Sequence, residues 1–288
     1  NELVPVAETP FAQDHSFGYR HSNMREWVEE KTKGKIKAVQ IISFSIEEIR
    51  KEGPLYIFKK LSSARSGDLI LINAASFRDL AVFTMGLIHA EKAGQKFLFR
   101  SSATFVPIRA GIAPGKIFEP RHGKLSGHGS LIVVGSYVPK TTGQLHHLFD
   151  QKQHEAIEID VGEVLRSGAR EDASLSISNI IDQSLLKGKD VVVYTSRKLQ
   201  SGSDSESSLK INRTVSDFLV KVISQITIQP SFFIAKGGIT SSDLASRALK
   251  ADKALILGQA IPGVPVWELD EKSKFSRILY IVFPGNVG

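Results

Sequence analysis

The sequence predicts an α/β fold made of two α/β domains, with mainly parallel sheets flanked by helices. Three observations lead there. Short, uniformly apolar runs recur along the 288 residues, as strands buried on both faces of a helix-covered parallel sheet do. Amphipathic helical patterns alternate with those runs. Near the middle, from Ile112 to Gly129, the pattern breaks into an aperiodic stretch rich in Gly, Pro and basic residues. That stretch reads as a linker and places the domains at residues 1–125 and 126–288.

Strands are expected at Ile36–Ile42, Asp68–Ala74, Lys96–Phe99, Ser130–Gly135, Ala156–Asp160, Asp190–Thr195, Phe232–Gly237, Ala254–Gly258 and Leu279–Phe283. Helices are expected at Asn23–Lys31, with Ser22 as a cap, and at Ser76–Gly94, which Ser76 can cap and Gly94 can end. Further helical patterns cover Thr142–Gln151, Ser174–Leu186, Ser208–Ser224 and Ser241–Ala251. The stretch Gln200–Ser208 reads as a polar loop.

Composition removes several function classes. The 42% hydrophobic content and 23% charged content are those of a folded chain long enough for two domains. Without cysteine there are no disulfides and no thiolate metal sites, which fits a reducing compartment. No apolar run reaches about 18 residues and no signal peptide is visible, so a cytoplasmic location without membrane contact is expected. The net charge of +7 suits anionic partners. Its densest cluster, Lys31, Lys33, Lys35 and Lys37, lacks interleaved aromatics, so the anions are expected to be small ligands rather than nucleic acid. His146 and His147 are adjacent and point apart on a helix, which argues against a shared metal. Asp14 and His15 have no evident serine partner for a hydrolytic triad.

Three segments share one design, in which a buried strand runs into glycine. In the segment AKGGITSS a strand ends at Lys236 and leads through Gly237 and Gly238 to Ile239, Thr240, Ser241 and Ser242 at a helix start. In the segment VVGSYVPK a strand ends in Gly135 and Ser136, with Lys140 nearby to neutralise phosphate. In the segment YIVFPGNVG a strand runs into Pro284, Gly285, Asn286 and Gly288. Glycine lets the backbone approach a ligand, and a helix N-terminus attracts phosphate. Each segment taken alone also fits an ordinary turn. Gly258, Pro262, Gly263 and Pro265 form a bend that could support a base or ribose, or be purely structural. Arg100 sits at the end of an expected strand, where it could pair with a carboxylate or phosphate, or simply be exposed. Neither a P-loop nor a standard dinucleotide fingerprint is present.

Together the blocks FGYRHSNMREWVEEKT, FRSSATFVPIRAGI, VVGSYVPKTTGQL, AKGGITSS, GQAIPGVPVW and FPGNVG resemble the four-carbon acid sugar kinases, in order and over nearly the whole chain. The form AKGGITSSDLA resembles the eukaryotic branch, where this region can be fused to dehydrogenase-like and class II aldolase-like parts. The resemblance implies a kinase whose N-terminal domain binds a sugar acid of the threonate, erythronate or oxo-tetronate type and whose C-terminal domain binds ATP with Mg2+. Ser136, Gly237, Gly238, Ile239, Thr240 and Gly285 would touch the nucleotide, and Arg100 would face the sugar acid. Homodimerisation is compatible with it. Two alternatives stay open: a non-catalytic nucleotide-binding module regulating fused partners, and an oxidoreductase with another dinucleotide arrangement.

The sequence departs from the family pattern in three places. The Asp-Asp-x-Thr-Gly-Ala type motif that supplies the likeliest base is missing, as though the chain began about one hundred residues into the pattern. Ile239 stands where members usually carry an acidic residue. The chain stops at Gly288, where members continue into a helix.

Overall fold

Asn23 starts the first helix. Its side chain accepts a hydrogen bond from the Arg25 amide, so it replaces the expected Ser22 as the cap of α1 (Met24–Lys31). The computed structural model describes residues 3–10, 12–13, 17–113, 115, 117–119, 127–151, 154–167, 171–197, 205–285 and 287. Asp14, His15, Asn286, Gly288, residues 200–204 of the polar loop and much of the expected linker lie outside the described residues. The chain divides into two units, Asn1–Pro114 and Gly115–Gly288.

In the first unit, β1 (Ile42–Phe44) lies later than expected, because residues 38–40 form a short 3-10 turn. The Glu29 carboxylate holds that turn by accepting from the Ala38 amide at 2.8 Å and from Lys37 Nζ at 3.0 Å. The sequence pattern missed α2 (Ile46–Ser62), because Gly53 and Pro54 interrupt its periodicity. Gly53 takes a φ of 69° at the resulting kink. A capping box of Ser45 and Glu48 starts the helix.

The helix carries the chain to β2 (Ile70–Ile72), which pairs parallel with β1. Ser76 caps α3 (Phe77–Lys92) as expected, its hydroxyl accepting from the Asp79 amide at 3.1 Å. Gly86 brings α3 onto α2, since a β-carbon there would lie 2.6 Å from the Ile57 side chain. Residues 96–99 form no strand: Phe97 and Phe99 make tilted ring contacts in series toward Phe105 of α4 (Phe105–Ala110), while Leu98 is fully exposed. The core gathers Phe44, Ile49, Ile57, Leu61, Phe83 and Leu87.

In the second unit the alternation is regular. The elements run β3 (Leu131–Val134), α5 (Pro139–Asp150), β4 (His154–Ile159), α6 (Val161–Ser167), α7 (Glu171–Leu186), β5 (Asp190–Thr195), α8 (Ser205–Gln225), β6 (Phe233–Lys236), α9 (Gly238–Asp243), β7 (Ala254–Ile261), β8 (Val264–Leu269) and β9 (Leu279–Phe283). A π-helical turn, Leu244–Ala248, prolongs α9. The seven strands are ordered β4-β5-β3-β6-β9-β8-β7. The first five in that order are parallel, while β8 and β7 form an antiparallel hairpin at the edge.

The Pro-Gly bend expected after Gly258 is the tip of that hairpin, with Pro265 inside β8 opposite Gln259. In the region read as linker, Ile117 bridges to Gln259, and the Phe118 amide donates to the Gln259 carbonyl at 2.8 Å. Leu131, Val133, Val191, Val193, Ile223 and Phe233 centre the core, as uniformly apolar strands require. On β7, by contrast, Leu255 and Ile256 are exposed.

Candidate functional site

From β3 the chain leaves toward β5 and β4; from β6 it leaves toward β9, β8 and β7. The neighbours β3 and β6 therefore form a topological switch point, and ligands gather outside the carboxyl ends of strands at such a point. The three glycine segments singled out in the sequence end β3, β6 and β9, which are consecutive and parallel in the sheet.

At this edge backbone meets side chain at close range. The Gly135 amide donates to the Lys236 carbonyl at 3.2 Å, and the Gly237 amide to the Phe283 carbonyl at 2.9 Å. A β-carbon on Gly135 would lie 2.2 Å from Thr240 Oγ1, and one on Gly285 would lie 2.7 Å from Ser136 Oγ. Gly237 has a φ of 120°, which glycine alone adopts readily. Ser136 therefore sits between the Gly237 turn and Gly285. Thr141 Oγ1 lies 3.2 Å from Ser136 Oγ and donates to the Gly285 carbonyl at 3.1 Å.

Of the residues expected to contact nucleotide, Ser136, Gly237, Thr240 and Gly285 converge on one spot. Gly238 and Ile239 stand beside it: Gly238 is exposed with open space around it, and the Ile239 side chain is 55% exposed. Helix geometry leaves the amides of Gly238, Ile239 and Thr240 without intrahelical acceptors. Ser241, considered as a ligand donor, plays another part. Its Oγ lies 2.7 Å from both the Ala235 and Gly237 carbonyls, which commits its proton to the main chain.

Four residues that sequence reasoning did not place in the site also border this edge. Lys236 is only 6% exposed and donates to the Pro284 carbonyl at 3.1 Å. Burial, with repulsion from Lys140, pulls its ammonium down to about 8. Gln144 donates to the Val287 carbonyl at 3.1 Å, and its Oε1 is buried without a partner. Arg197, just past the end of β5, donates through Nε and Nη2 to Thr142 Oγ1, while its Nη1 is buried without a partner. Burial lowers the Arg197 pKa, with Glu158 acting in the opposite sense. Thr141 completes the four. Lys236 ends an apolar strand and Arg197 follows one, much the signal that singled out Arg100.

A polyphosphate fits what is present: glycine turns that a β-carbon would fill, hydroxyls, free amides and cationic side chains. A divalent cation is not matched by protein ligands, since among the described residues no group of three or more His, Cys, Asp or Glu could hold one.

In the first unit Arg100 lies over the Trp27 ring at 5.5 Å, in irregular chain rather than at a strand end. The carboxyl ends of β1 and β2 carry Ser45 and Asn73, and Asn73 Nδ2 donates to the Phe44 carbonyl at 2.9 Å. Asp79 is taken up by a fork from Arg50 at 2.8 and 3.0 Å and by the Ala75 amide at 3.0 Å. The Arg50 fork and the Ala75 amide hold its carboxyl well below the usual carboxylate range.

Sheet topology and glycine turns thus define an α/β protein with its candidate site at the switch point of the second sheet. A family model described as a nucleotide-binding C-terminal domain matches residues 131–288, and another described as a sugar-binding N-terminal domain matches residues 2–108. The chain belongs to the four-carbon acid sugar kinase family. No curated protein matches it significantly.

Among solved structures, a Haemophilus influenzae protein of the DUF1537 family is similar at 15% identity and a TM-score of 0.53, over 98% of this chain and 65% of that one. A Salmonella typhimurium LT2 protein, provisionally named a tRNA synthase, is similar at 14% identity and a TM-score of 0.60, over 98% of this chain and 64% of that one. These likenesses bear on the fold. The chain spans just under two thirds of the length of both structures. Among the described residues, no helix is long and apolar enough to cross a membrane.

Proposed function

We propose that the chain is part of an ATP-dependent kinase that phosphorylates a hydroxyl of a four-carbon sugar acid. The second unit would hold the nucleotide and the first unit the acid, a threonate, erythronate or oxo-tetronate type compound. One observation carries the reading: the glycine turns after β3, β6 and β9 converge at the switch point, around Ser136. Family membership agrees with it.

Phosphoryl transfer depends chiefly on positioning and charge neutralisation. In this reading the Ser136 hydroxyl and the amides of Gly238, Ile239 and Thr240 donate to phosphate oxygens. Gly285 leaves room for Ser136, and Lys140 offsets charge. Bound ATP supplies the transferable phosphoryl group. Mg2+ would be carried by phosphate oxygens and water, its usual ligands in such sites. No described residue is assigned as the base, and Arg100 is kept as a contact to the acid.

Calorimetric titration of the full chain with Mg-ATP, beside Gly238→Asp, tests the reading. The substituted position is open, so the variant folds while setting a carboxylate against phosphate. Binding by the parent and at least tenfold weaker binding by the variant, about 1.4 kcal/mol, is expected. A folded parent that ignores ATP at millimolar concentration sinks the proposal, and a preference for a nicotinamide dinucleotide would point to an oxidoreductase instead.

The exposed Ile239, where the family usually has an acid, favours a second reading: a nucleotide-binding module without catalysis. Phosphate transfer to threonate or erythronate by the parent would exclude that module.

A further inference from the structure

The amine of Lys236 is a deeply placed charge at the carboxyl edge of the second sheet. The residue is 6% exposed, and among the described residues no carboxylate lies within ion-pair distance. Its contacts are the Pro284 carbonyl at 3.1 Å, the Val287 carbonyl at 3.5 Å and the Phe283 ring at 3.9 Å. Carbonyl dipoles and a ring face compensate a cation only in part, and a buried charge ordinarily has an opposite charge beside it.

The surroundings add to the imbalance. Lys140 of α5 is the charged group that acts on Lys236, and it repels. A buried polar atom nearby, Gln144 Oε1, has no partner. Gln144 shares the Val287 carbonyl with Lys236. The strand that ends in Lys236 continues directly into the Gly237 turn, at the switch point.

We propose that Lys236 is the phosphate-pairing residue of this site, its ammonium taking a phosphate oxygen of the bound nucleotide as the counter-charge that no described residue supplies. The proposal rests on the nucleotide reading above and names the residue that neutralises charge there. Lysine suits the task, being a compact charge on a flexible stem with three donors, of which the two carbonyls use at most two. The depressed ammonium pKa, about 8, is what a buried cation awaiting an anion would show, and it makes binding sensitive to pH.

The test uses the full chain with three probes: ATP, inorganic tripolyphosphate and adenosine. Lys236→Met is expected to weaken ATP and tripolyphosphate on the order of tenfold and to leave adenosine unchanged; Lys236→Arg retains most of the affinity. In the parent, ATP affinity falls between pH 7.5 and 9.5, a window above the last phosphate ionisation near pH 6, and the Met variant lacks that slope.

Equal ATP affinity in a folded Met variant would overturn the proposal. So would a pH-independent parent, a measurement that needs no variant. A parent that binds tripolyphosphate through Lys236 but not ATP would sustain the residue's role and remove the nucleotide reading. A parent that binds neither removes both.

Discussion

A β-carbon on Gly135 would stand 2.2 Å from Thr240 Oγ1 and 3.1 Å from Thr240 Cγ2. The end of β3 and the first turn of α9 meet there with no slack, and both offending atoms belong to one side chain. Gly135→Ala is therefore expected to cost roughly 1–3 kcal/mol in urea unfolding, the usual range for forced overpacking. Thr240→Ala in the same chain should recover most of that loss, because the nearest remaining atom, Thr240 Cβ, lies at 3.2 Å. A double-mutant cycle without coupling would refute this account.

Lys236 links the same edge to pH. Its folded pKa is depressed to about 8 from the ordinary 10.5, so between those values the unfolded chain binds a proton that the folded chain does not. Stability therefore rises as pH climbs through that window, and the penalty for burying the charge is fully present below about 8. ATP affinity runs the other way, since the anion needs the charged amine. Opposite slopes for melting temperature and ATP affinity are the expected signature. Sequence pattern located Lys236 at a strand end, but not the Pro284 and Val287 carbonyls that accept from its buried amine.

Among the elements, α2 shows what periodicity misses. Gly53, at a φ of 69°, and Pro54 divide it, and a capping box secures its start. Gly53→Ala places a side chain in a left-handed conformation and should cost about 1 kcal/mol, although no atom lies near the new β-carbon. A loss of that size in chemical unfolding, absent for alanine at an exposed helical position such as Glu52, would identify backbone strain as the cause.

Glu48 in the same helix gives a second handle. Burial works to raise its pKa, but hydrogen bonds from Lys60, Tyr56 and the Ser45 amide together bring it down to about 2. A depressed carboxyl stabilises the fold above its unfolded value of 4.5, and that contribution fades as pH falls toward 2. Lys60→Met should flatten the acid side of the stability profile between those values. A profile unchanged by that substitution would remove Glu48 from the account.

At the scale of the whole molecule, the two units should respond separately to nucleotide. A ligand that binds only the folded state stabilises it by RT ln(1 + [L]/Kd), about 2.7 kcal/mol at one hundred times Kd. Hydrogen exchange on the full chain with saturating ATP should slow across β3, β6 and β9 and leave β1, β2 and their helices largely unchanged. Protection confined to residues 1–114 would contradict the proposed placement.

The sequence by itself determined the α/β class, most strands of the second unit, the Ser76 cap and three segments in which a strand runs into glycine. Each of these depends on local pattern: apolar runs, capping side chains and glycines after strands. Local pattern also misled at residues 96–99, where tilted aromatic contacts take the place of strand pairing, and it overlooked α2 and β8. Only the tertiary structure decided that β3, β6 and β9 are neighbours, although about a hundred residues separate the first from the second and nearly fifty the second from the third. Strand order is set by how crossover helices pack on the two faces of a sheet, a long-range choice that short windows of sequence do not record. For the same reason, turns from distant parts of the chain become one site, and Lys236 becomes a buried charge without an acidic partner among the described residues.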